Sequence, residues 1–317
     1  MNQTVDISPV APTIKQAFWY WLKLGFISFG GPAGQIAIMH HDLVENKRWI
    51  SEKRFLHALN YCMVLPGPEA QQLATYIGWL MHRTWGGIIA GGLFVLPSLL
   101  ILILLSFIYM RFWHLPAFVG VLYGIKPAVV AIVLFAAYRI GARALKKKVL
   151  WAITVNSFLA ITLLTMPFPF IVLTAAMIGF FVNRYKPAWF VSSGHAASQK
   201  SYGKAVIDDD TLTPAHAVFN WHRLFEFLLI GLLIWLVGMA LLVAVFGWDA
   251  VYTQMAWFFT KAVLLTFGGA YAVLPYVYQG AVSHFQWLTP AQMMDGLALG
   301  ETTPGPLIMV VAFVGFV

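Results

Sequence analysis

The residues of this chain that could act on a substrate gather around short sequences that break helices. Pro66-Gly67-Pro68 runs directly into Glu69, with Gln71 and Gln72 just beyond. Thr302-Thr303-Pro304-Gly305-Pro306 directly follows Glu301. Two further breaks, Phe29-Gly30-Gly31-Pro32 and Phe267-Gly268-Gly269, each follow a lysine, Lys23 or Lys261, by about two helical turns. Proline removes an amide donor and clashes with the preceding turn, whereas glycine lets the chain bend. A helix that restarts inside an apolar segment exposes unpaired amides at the positive end of its dipole, and such ends bind anions. The expected chemistry is therefore non-covalent. Amides near Gly30, Gly31, Gly67, Gly268, Gly269 and Gly305 would hold an anion, with the flanking prolines shaping the turns. Lys23 and Lys261 would supply charge, and Gln71, Gln72, Thr302 and Thr303 neutral polar contacts. Carboxylates within a membrane are costly and usually functional, so Glu69 or Glu301 is the candidate for ion coupling. The plainer readings are a helix kink for any single break, a cap for Glu69, and lysines that snorkel to the headgroups.

The breaks occur twice, in register. Lys23 to Gly31 matches Lys261 to Gly269, 238 positions later. The same offset of 238 carries Trp49-Ile50-Ser51 onto Trp287-Leu288-Thr289 and Pro66-Gly67-Pro68 onto Pro304-Gly305-Pro306. One deletion further on, Tyr76-Ile77-Gly78 pairs with Phe313-Val314-Gly315. Chance rarely aligns three separated motifs without a gap, so the chain contains an internal repeat. An old duplication without a transport role is the competing reading, but the repeated motifs are the helix breakers themselves.

The elements that must position these residues are membrane helices. Hydrophobic residues make up 60% of the chain and charged residues 10%, too few to cover a water-facing surface. Ala90–Met110, Leu115–Tyr138 and Phe225–Phe246 each hold about 20 or more residues with at most one charge, long enough to span as helices. Apolar segments are read at 17–39, 55–81, 87–110, 116–138, 149–166, 168–182, 223–247, 253–279 and 291–317, all helical because lipid-exposed backbone must satisfy its own hydrogen bonds. The fifth and sixth meet at Met166-Pro167-Phe168-Pro169 as a tight hairpin. The net charge of +8 comes from Lys and Arg between apolar segments, as the positive-inside rule requires, and points to no nucleic-acid partner. The lone Cys62 excludes an intrachain disulfide and a multi-cysteine metal site. His40 and His41 are adjacent, not a turn apart, and there is no HExxH, Walker or nucleotide fingerprint. No metal or cofactor is expected. Met1 to Lys15 is polar and lacks a cleavable apolar stretch, so the first apolar segment should direct insertion.

Three parts follow: an N-terminal repeat half with an extra helical hairpin (1–182), a polar cytoplasmic linker (183–222) and a C-terminal repeat half (223–317). The linker carries Ser192-Ser193-Gly194 and Asp208-Asp209-Asp210, and a regulatory or partner-binding loop is the alternative. The basic connection from Arg139 to Lys148 should share its side, which places the N-terminus in the cytoplasm as well. Seven apolar segments separate the starts of the two repeats, so the repeats enter the membrane from opposite sides. Inverted repeats of this kind characterise secondary transporters, with substrate at their interface. If segment 17–39 spans fully, Lys47, Arg48, Lys53 and Arg54 become periplasmic, and the loop Gln279 to Pro290, without Lys or Arg, becomes cytoplasmic. Both violate positive-inside. Segments that bend back at the Gly-Gly and Pro-Gly-Pro breaks, as re-entrant half-helices, remove the conflict.

With these motifs in place, the chain resembles the chromate ion transporter family. The resemblance rests on Phe26-Ile27-Ser28-Phe29-Gly30-Gly31-Pro32, the run from Pro66-Gly67-Pro68 through Tyr76-Ile77-Gly78, and Phe94-Val95-Leu96-Pro97-Ser98 in the first half. In the second half it rests on Thr266-Phe267-Gly268-Gly269 and Glu301-Thr302-Thr303-Pro304-Gly305-Pro306. It runs from about Phe18 to Val317. It implies an all-α polytopic protein of the inner membrane that exports chromate, driven by the proton motive force, and confers chromate resistance. Some members of that family are linked to sulfate, an isosteric dianion, so sulfate or another oxyanion is the alternative substrate. Readings of other classes are a membrane-bound chromate reductase, for which no redox fingerprint is present, and a non-transporting scaffold. A homodimer is kept open as the assembly. The second repeat stops just after Gly315, without the two long segments that follow Gly78 in the first, so the chain reads as cut short there.

Overall fold

A computed structural model of the chain describes residues 9–145, 147–164, 166, 168–185, 202–267, 271 and 273–317. Among these residues the regular elements are helices: α1 (Ile14–Ile27), α2 (Gly31–His40), α3 (Glu52–Val64), α4 (Glu69–Phe112), α5 (Pro116–Ala144), α6 (Lys148–Thr162), α7 (Phe168–Tyr185), α8 (Trp221–Phe246), α9 (Val251–Leu264), α10 (Leu274–Tyr278), α11 (Pro290–Thr302) and α12 (Val310–Phe316). Gly268, Gly269, Lys146, Pro167 and the Ser192-Ser193-Gly194 stretch lie outside the described residues.

The expected apolar segments divide where glycine and proline break them. Segment 17–39 becomes α1 and α2, and 55–81 becomes α3 and the start of α4. Segments 253–279 and 291–317 likewise become α9 with α10, and α11 with α12. Helix α4 reverses at His82 and Arg83, whose backbone leaves the helical region, so that residues 69–81 and 84–112 form two arms. The arms meet along a glycine seam: a Cβ on Gly78 would strike the Gly86 carbonyl, and one on Gly87 would come 3.1 Å from the Trp79 Cβ. At 1.5 Å per residue, α1, α2 and α3 are roughly 15 to 21 Å long, well short of a hydrocarbon core of about 30 Å. Helix α8, with 26 residues, is long enough to span. It is apolar all round and only its Met239 is buried, the pattern of a helix facing lipid. The chain is an all-α membrane protein.

The described residues fall into two compact units: 1–104 with 199–273 and 303–316, and 105–198 with 274–302 and 317. In the first, α1 and α2 fold back on each other about Gly30. Tyr20 near the middle of α1 packs on Trp49 beyond the end of α2, with ring centroids 5.1 Å apart. Helix α3 and the first arm of α4 fold back about Pro66-Gly67-Pro68 in the same way, bringing Tyr61 to within 6.1 Å of Tyr76. Trp21, Leu24, Met39, Leu43, Phe55, Leu73, Ile77 and Phe94 fill the space between these hairpins.

The open ends of both hairpins share one face, and part of the polar connection is strapped across it. Val206 and Ile207 donate backbone hydrogen bonds to the Arg48 and Trp49 carbonyls (2.9 and 3.0 Å), and Ser51 donates back to Ile207 (3.0 Å). Ser51 Oγ donates to Asp209 Oδ1 at 2.6 Å, and Arg54 donates to the Thr211 carbonyl. His216 reaches the Trp79 carbonyl at 3.1 Å, and His82 that of Pro12 at 2.8 Å. Ala205 and Ile207 are buried. Residues 202–217 thus pack on the first repeat, where composition alone reads a linker.

In the second unit α6 packs on α7, α10 on α7, and α11 on α5.

Candidate functional site

Within the first unit the break of one repeat touches the break of the other, twice. Gly305 donates its amide to the Ser28 carbonyl at 2.7 Å, and Gly67 donates its amide to the Thr266 carbonyl at 2.7 Å. Ser28 and Thr266 are 238 residues apart, as are Gly67 and Gly305. The two contacts are therefore the same contact made in both directions, as an approximate two-fold axis requires. Each hydroxyl flanking the first break bonds back one turn: Ser28 Oγ donates to the Leu24 carbonyl at 2.6 Å, and Thr266 Oγ1 to that of Ala262 at 2.7 Å. Those bonds hold the last turns of α1 and α9 while the next carbonyl turns outward to receive the partner.

Glycine is required at both donors by backbone shape. Gly67 has φ 124° and Gly305 φ 108°, and both are buried. A Cβ on Gly305 would lie 2.6 Å from the Ser98 Cβ, whereas one on Gly67 would meet only the Gln72 amide nitrogen at 2.7 Å. Gly30 and Gly31, with φ 84° and 67°, open α2 in the same left-handed region, and Pro32 follows in its first turn.

Polar side chains complete the crossing. Gln35 is fully buried and donates Nε2 to the Gly305 carbonyl at 2.7 Å and to that of Ser28 at 3.3 Å. Gln72 Nε2 donates to the Pro66 carbonyl at 2.7 Å. The Gln35 and Gln72 side-chain oxygens and Ser98 Oγ are buried and have no hydrogen-bond partner among the described residues. These atoms make the breaks a polar place inside an otherwise apolar core.

The residues read from the sequence distribute as follows. Gly30, Gly31, Pro32, Pro66, Gly67, Pro68, Gln72, Pro304, Gly305 and Pro306 belong to these breaks. The amides of Gly67 and Gly305 are already engaged across the crossing, so the donors open to a ligand are those at the starts of α2 and α4, where helix geometry leaves amides unpaired. Glu69, 7% exposed, is the first residue of α4, where the helix dipole favours a negative charge. Gln71 joins Gln72, Thr75 and Tyr76 on a largely apolar groove of about 550 Å³. Lys23 stands away from the break, in a cleft of about 640 Å³ that also holds Lys47 and Asp42. Lys261 lies over the Trp257 ring, 5.6 Å from its centre. Thr303 is buried next to Pro304. Glu301 and Thr302 end α11 in the second unit, where Thr302 Oγ1 donates to the Leu299 carbonyl at 3.0 Å.

Sequence reasoning did not find Gln35 or Ser98, although the first is a lone amide in an apolar segment and the second closes the Val95-Leu96-Pro97-Ser98 run. It also did not find an ion pair in the second unit, Lys126 with Asp295.

A sequence model described as chromate transporter matches residues 15–180 and 253–317, covering both repeats and passing over the strap. The chain belongs to the chromate transporter family. It is 31% identical over 305 residues to the chromate transport protein of Cupriavidus metallidurans, covering 96% of this chain and 67% of that one. It is 32% identical to the chromate transport protein of Pseudomonas aeruginosa, covering 100% of this chain and 69% of the relative. It is also 32% identical to a probable chromate transport protein of Synechococcus elongatus, covering 96% and 70%. No solved structure matches the chain. Membership makes this a membrane transport protein.

Proposed function

We propose that this chain is a secondary transporter that exports chromate across the bacterial inner membrane, driven by the proton motive force, and thereby confers chromate resistance. The observation that carries the reading is the reciprocal contact of Gly305 with Ser28 and of Gly67 with Thr266. Transporters built from inverted repeats bind substrate where the interrupted helices of the repeats meet. Here that place offers helix starts at Gly31 and Glu69, the Ser98 hydroxyl, the buried Gln35 and the half-buried Gln72. Lys23 and Lys47 line a cleft through which an anion would approach.

The strap supports one orientation. Residues 48–51 and 206–209 are hydrogen-bonded, so they lie on one side of the membrane. Putting that side in the cytoplasm satisfies positive-inside for Lys47, Arg48, Lys53, Arg54 and the basic stretch before α6. The first repeat then opens to the cytoplasm with α1/α2 and α3/α4 as re-entrant hairpins. The second arm of α4 and α5 to α8 make five crossings, and the second repeat opens to the periplasm. A dianion leaving a negative-inside cell gains about 2.3 kcal/mol per charge per 100 mV, roughly 4.6 in all, so the potential alone favours export. Of the carboxylates at the breaks, Glu69 begins α4 and suits a capping role.

Everted membrane vesicles test the reading. Uncoupler-sensitive accumulation of radiolabelled chromate is expected, and competition by excess sulfate measures selectivity. Gly30→Leu should abolish uptake without blocking membrane insertion. Full transport by that variant would reject the crossing as the site, and chromate lost without accumulation would point to reduction.

A further inference from the structure

The second unit holds an ion pair where a bilayer makes charge expensive. Lys126 is the one charged residue of the apolar stretch Val119–Phe135 of α5. It is about 15 Å along a helix of 29 residues, too deep for its stem to reach either headgroup layer easily. Its ammonium turns instead to α11, where Nζ lies 2.9 Å from Asp295 Oδ1. Asp295 is 6% exposed. A third element reaches it: Tyr109, near the end of α4, donates its hydroxyl to Asp295 Oδ2 at 3.2 Å. Among the described residues, Lys126 and Tyr109 are thus brought to the two oxygens of Asp295 from two different helices. On its own helix Glu301 lies six residues further on.

Such a pair is poor insurance for stability, because desolvation offsets much of its Coulomb attraction, and intramembrane ionisable groups are retained chiefly for function. It is also a two-state device. With Asp295 ionised the pair is neutral and Lys126 is held. Proton uptake turns the carboxylate into a carboxylic acid that still accepts from Tyr109. Lys126, whose side chain is a third exposed, then loses its counter-ion and is released to move or to meet another anion. One proton therefore changes the net charge of the site by one and breaks a contact between α5 and α11. Glu69 differs: it sits on a helix start, whose dipole supports its charge.

Resting on the proposed transport of chromate, we propose that Asp295, with Lys126 as the counter-ion of its proton-free form, is the residue that takes up and releases the coupling proton. The proton comes from water on one side of the membrane and leaves to water on the other, and no covalent bond to the anion forms.

Two readouts on the full chain in proteoliposomes test this. In pH-difference infrared spectra, a carboxylic-acid band should be present, vanish in Asp295→Asn and persist in Glu69→Gln and Glu301→Gln. A band that survives in Asp295→Asn, or the absence of any band, overturns the proposal even if chromate is not the substrate. In transport, Asp295→Asn should lose pH-driven chromate accumulation by about tenfold or more while chromate exchange without a gradient stays within about twofold of the parent. Loss of exchange as well would assign the pair to binding or structure. The double variant Lys126→Gln/Asp295→Asn separates the last alternative. A merely structural ion pair is restored by removing both charges, whereas a proton site stays uncoupled. A parent protein that accumulates no chromate would sink the transport reading, and the infrared result would still judge Asp295.

Discussion

From His41 to Val64 and from Gln279 to Thr302 the backbone repeats almost residue for residue. Each stretch opens with a six-residue π-helical turn, His41–Asn46 or Gln279–His284. Each then passes through one left-handed non-glycine residue, Arg48 at φ 50° or Gln286 at φ 55°. Each ends in a helix of 13 residues, α3 or α11. Even the closing bonds correspond, Lys47 to Asp42 and Phe285 to Gly280. The side chains do not correspond. The first copy carries Lys47, Arg48, Lys53 and Arg54 and is tied to residues 206–211. The second has no Lys or Arg and stacks Phe285 on Trp287 at 4.4 Å. The crossing is similarly lopsided: Gln35, which ties Ser28 to Gly305, has Val273 at its equivalent position. A duplicated backbone can thus be kept for its geometry while the side chains decide which face of the membrane each copy addresses and which polar groups a substrate meets.

The comparison breaks most decisively on topology. Single cysteines at positions 47 and 284 should label from opposite sides, 47 from the cytoplasm and 284 from the periplasm. Labelling of 47 from the periplasm would end the re-entrant reading.

Next in size is the difference between the two donor glycines. Both have φ values that a side chain adopts at a cost of about 1 to 3 kcal/mol. At Gly305 the added methyl also meets the body of Ser98, whereas at Gly67 it meets the movable end of Gln72. Gly305→Ala should therefore lower the thermal midpoint and the transport rate more than Gly67→Ala, and equal effects would show that the crossing is more symmetric than drawn.

Smaller still, Gln35→Leu removes two hydrogen bonds from buried carbonyls and should destabilise by about 1 to 3 kcal/mol, measured by thermal unfolding in detergent. An unchanged midpoint would make the glutamine a ligand group alone.

Smallest is the response of the strap to pH. Glu45 lies in the π-helical turn, with Oε2 3.0 Å from His41 Nδ1. The His41 hydrogen bond is the main cause holding the Glu45 carboxyl below its usual range, against a weaker opposing effect of burial, and Tyr202 of the strap also bonds to it. A carboxyl depressed in the folded state contributes fully above its unfolded pKa of about 4.3 and loses that contribution as pH falls through the lower value. A spin label at position 210 should therefore keep constant mobility through neutral pH and loosen only below the ordinary carboxylate range. Loosening already at neutral pH would show that Glu45 does not govern the strap.

The helical class, the repeat and the places where helices break were legible because glycine and proline act locally and because an offset of 238 can be read without knowing any contact. Arg48 and Gln286 gave no such signal, since neither is a residue that advertises a left-handed turn. Gln35 and Asp295 were hidden for a different reason. Their partners lie far along the chain, 270 residues for Gln35 and Gly305 and 186 for Tyr109 and Asp295, and one sequence carries no trace of such pairings. The strap was obscured by composition: Ile207 is buried, but its neighbours Asp208, Asp209 and Asp210 made the whole stretch read as a solvated connection.

The strap also sets a schedule for biogenesis. Asp209 follows its partner Ser51 by 158 residues. At ordinary rates of translation, about 5 to 20 residues per second, the first repeat waits on the order of ten seconds or more in the membrane before the strap that residues 48–51 bond to is made. During that interval a growing chain offers a short open backbone edge to chaperones, to the insertion machinery or to another nascent copy, and the arrival of residues 206–211 is the event that closes it.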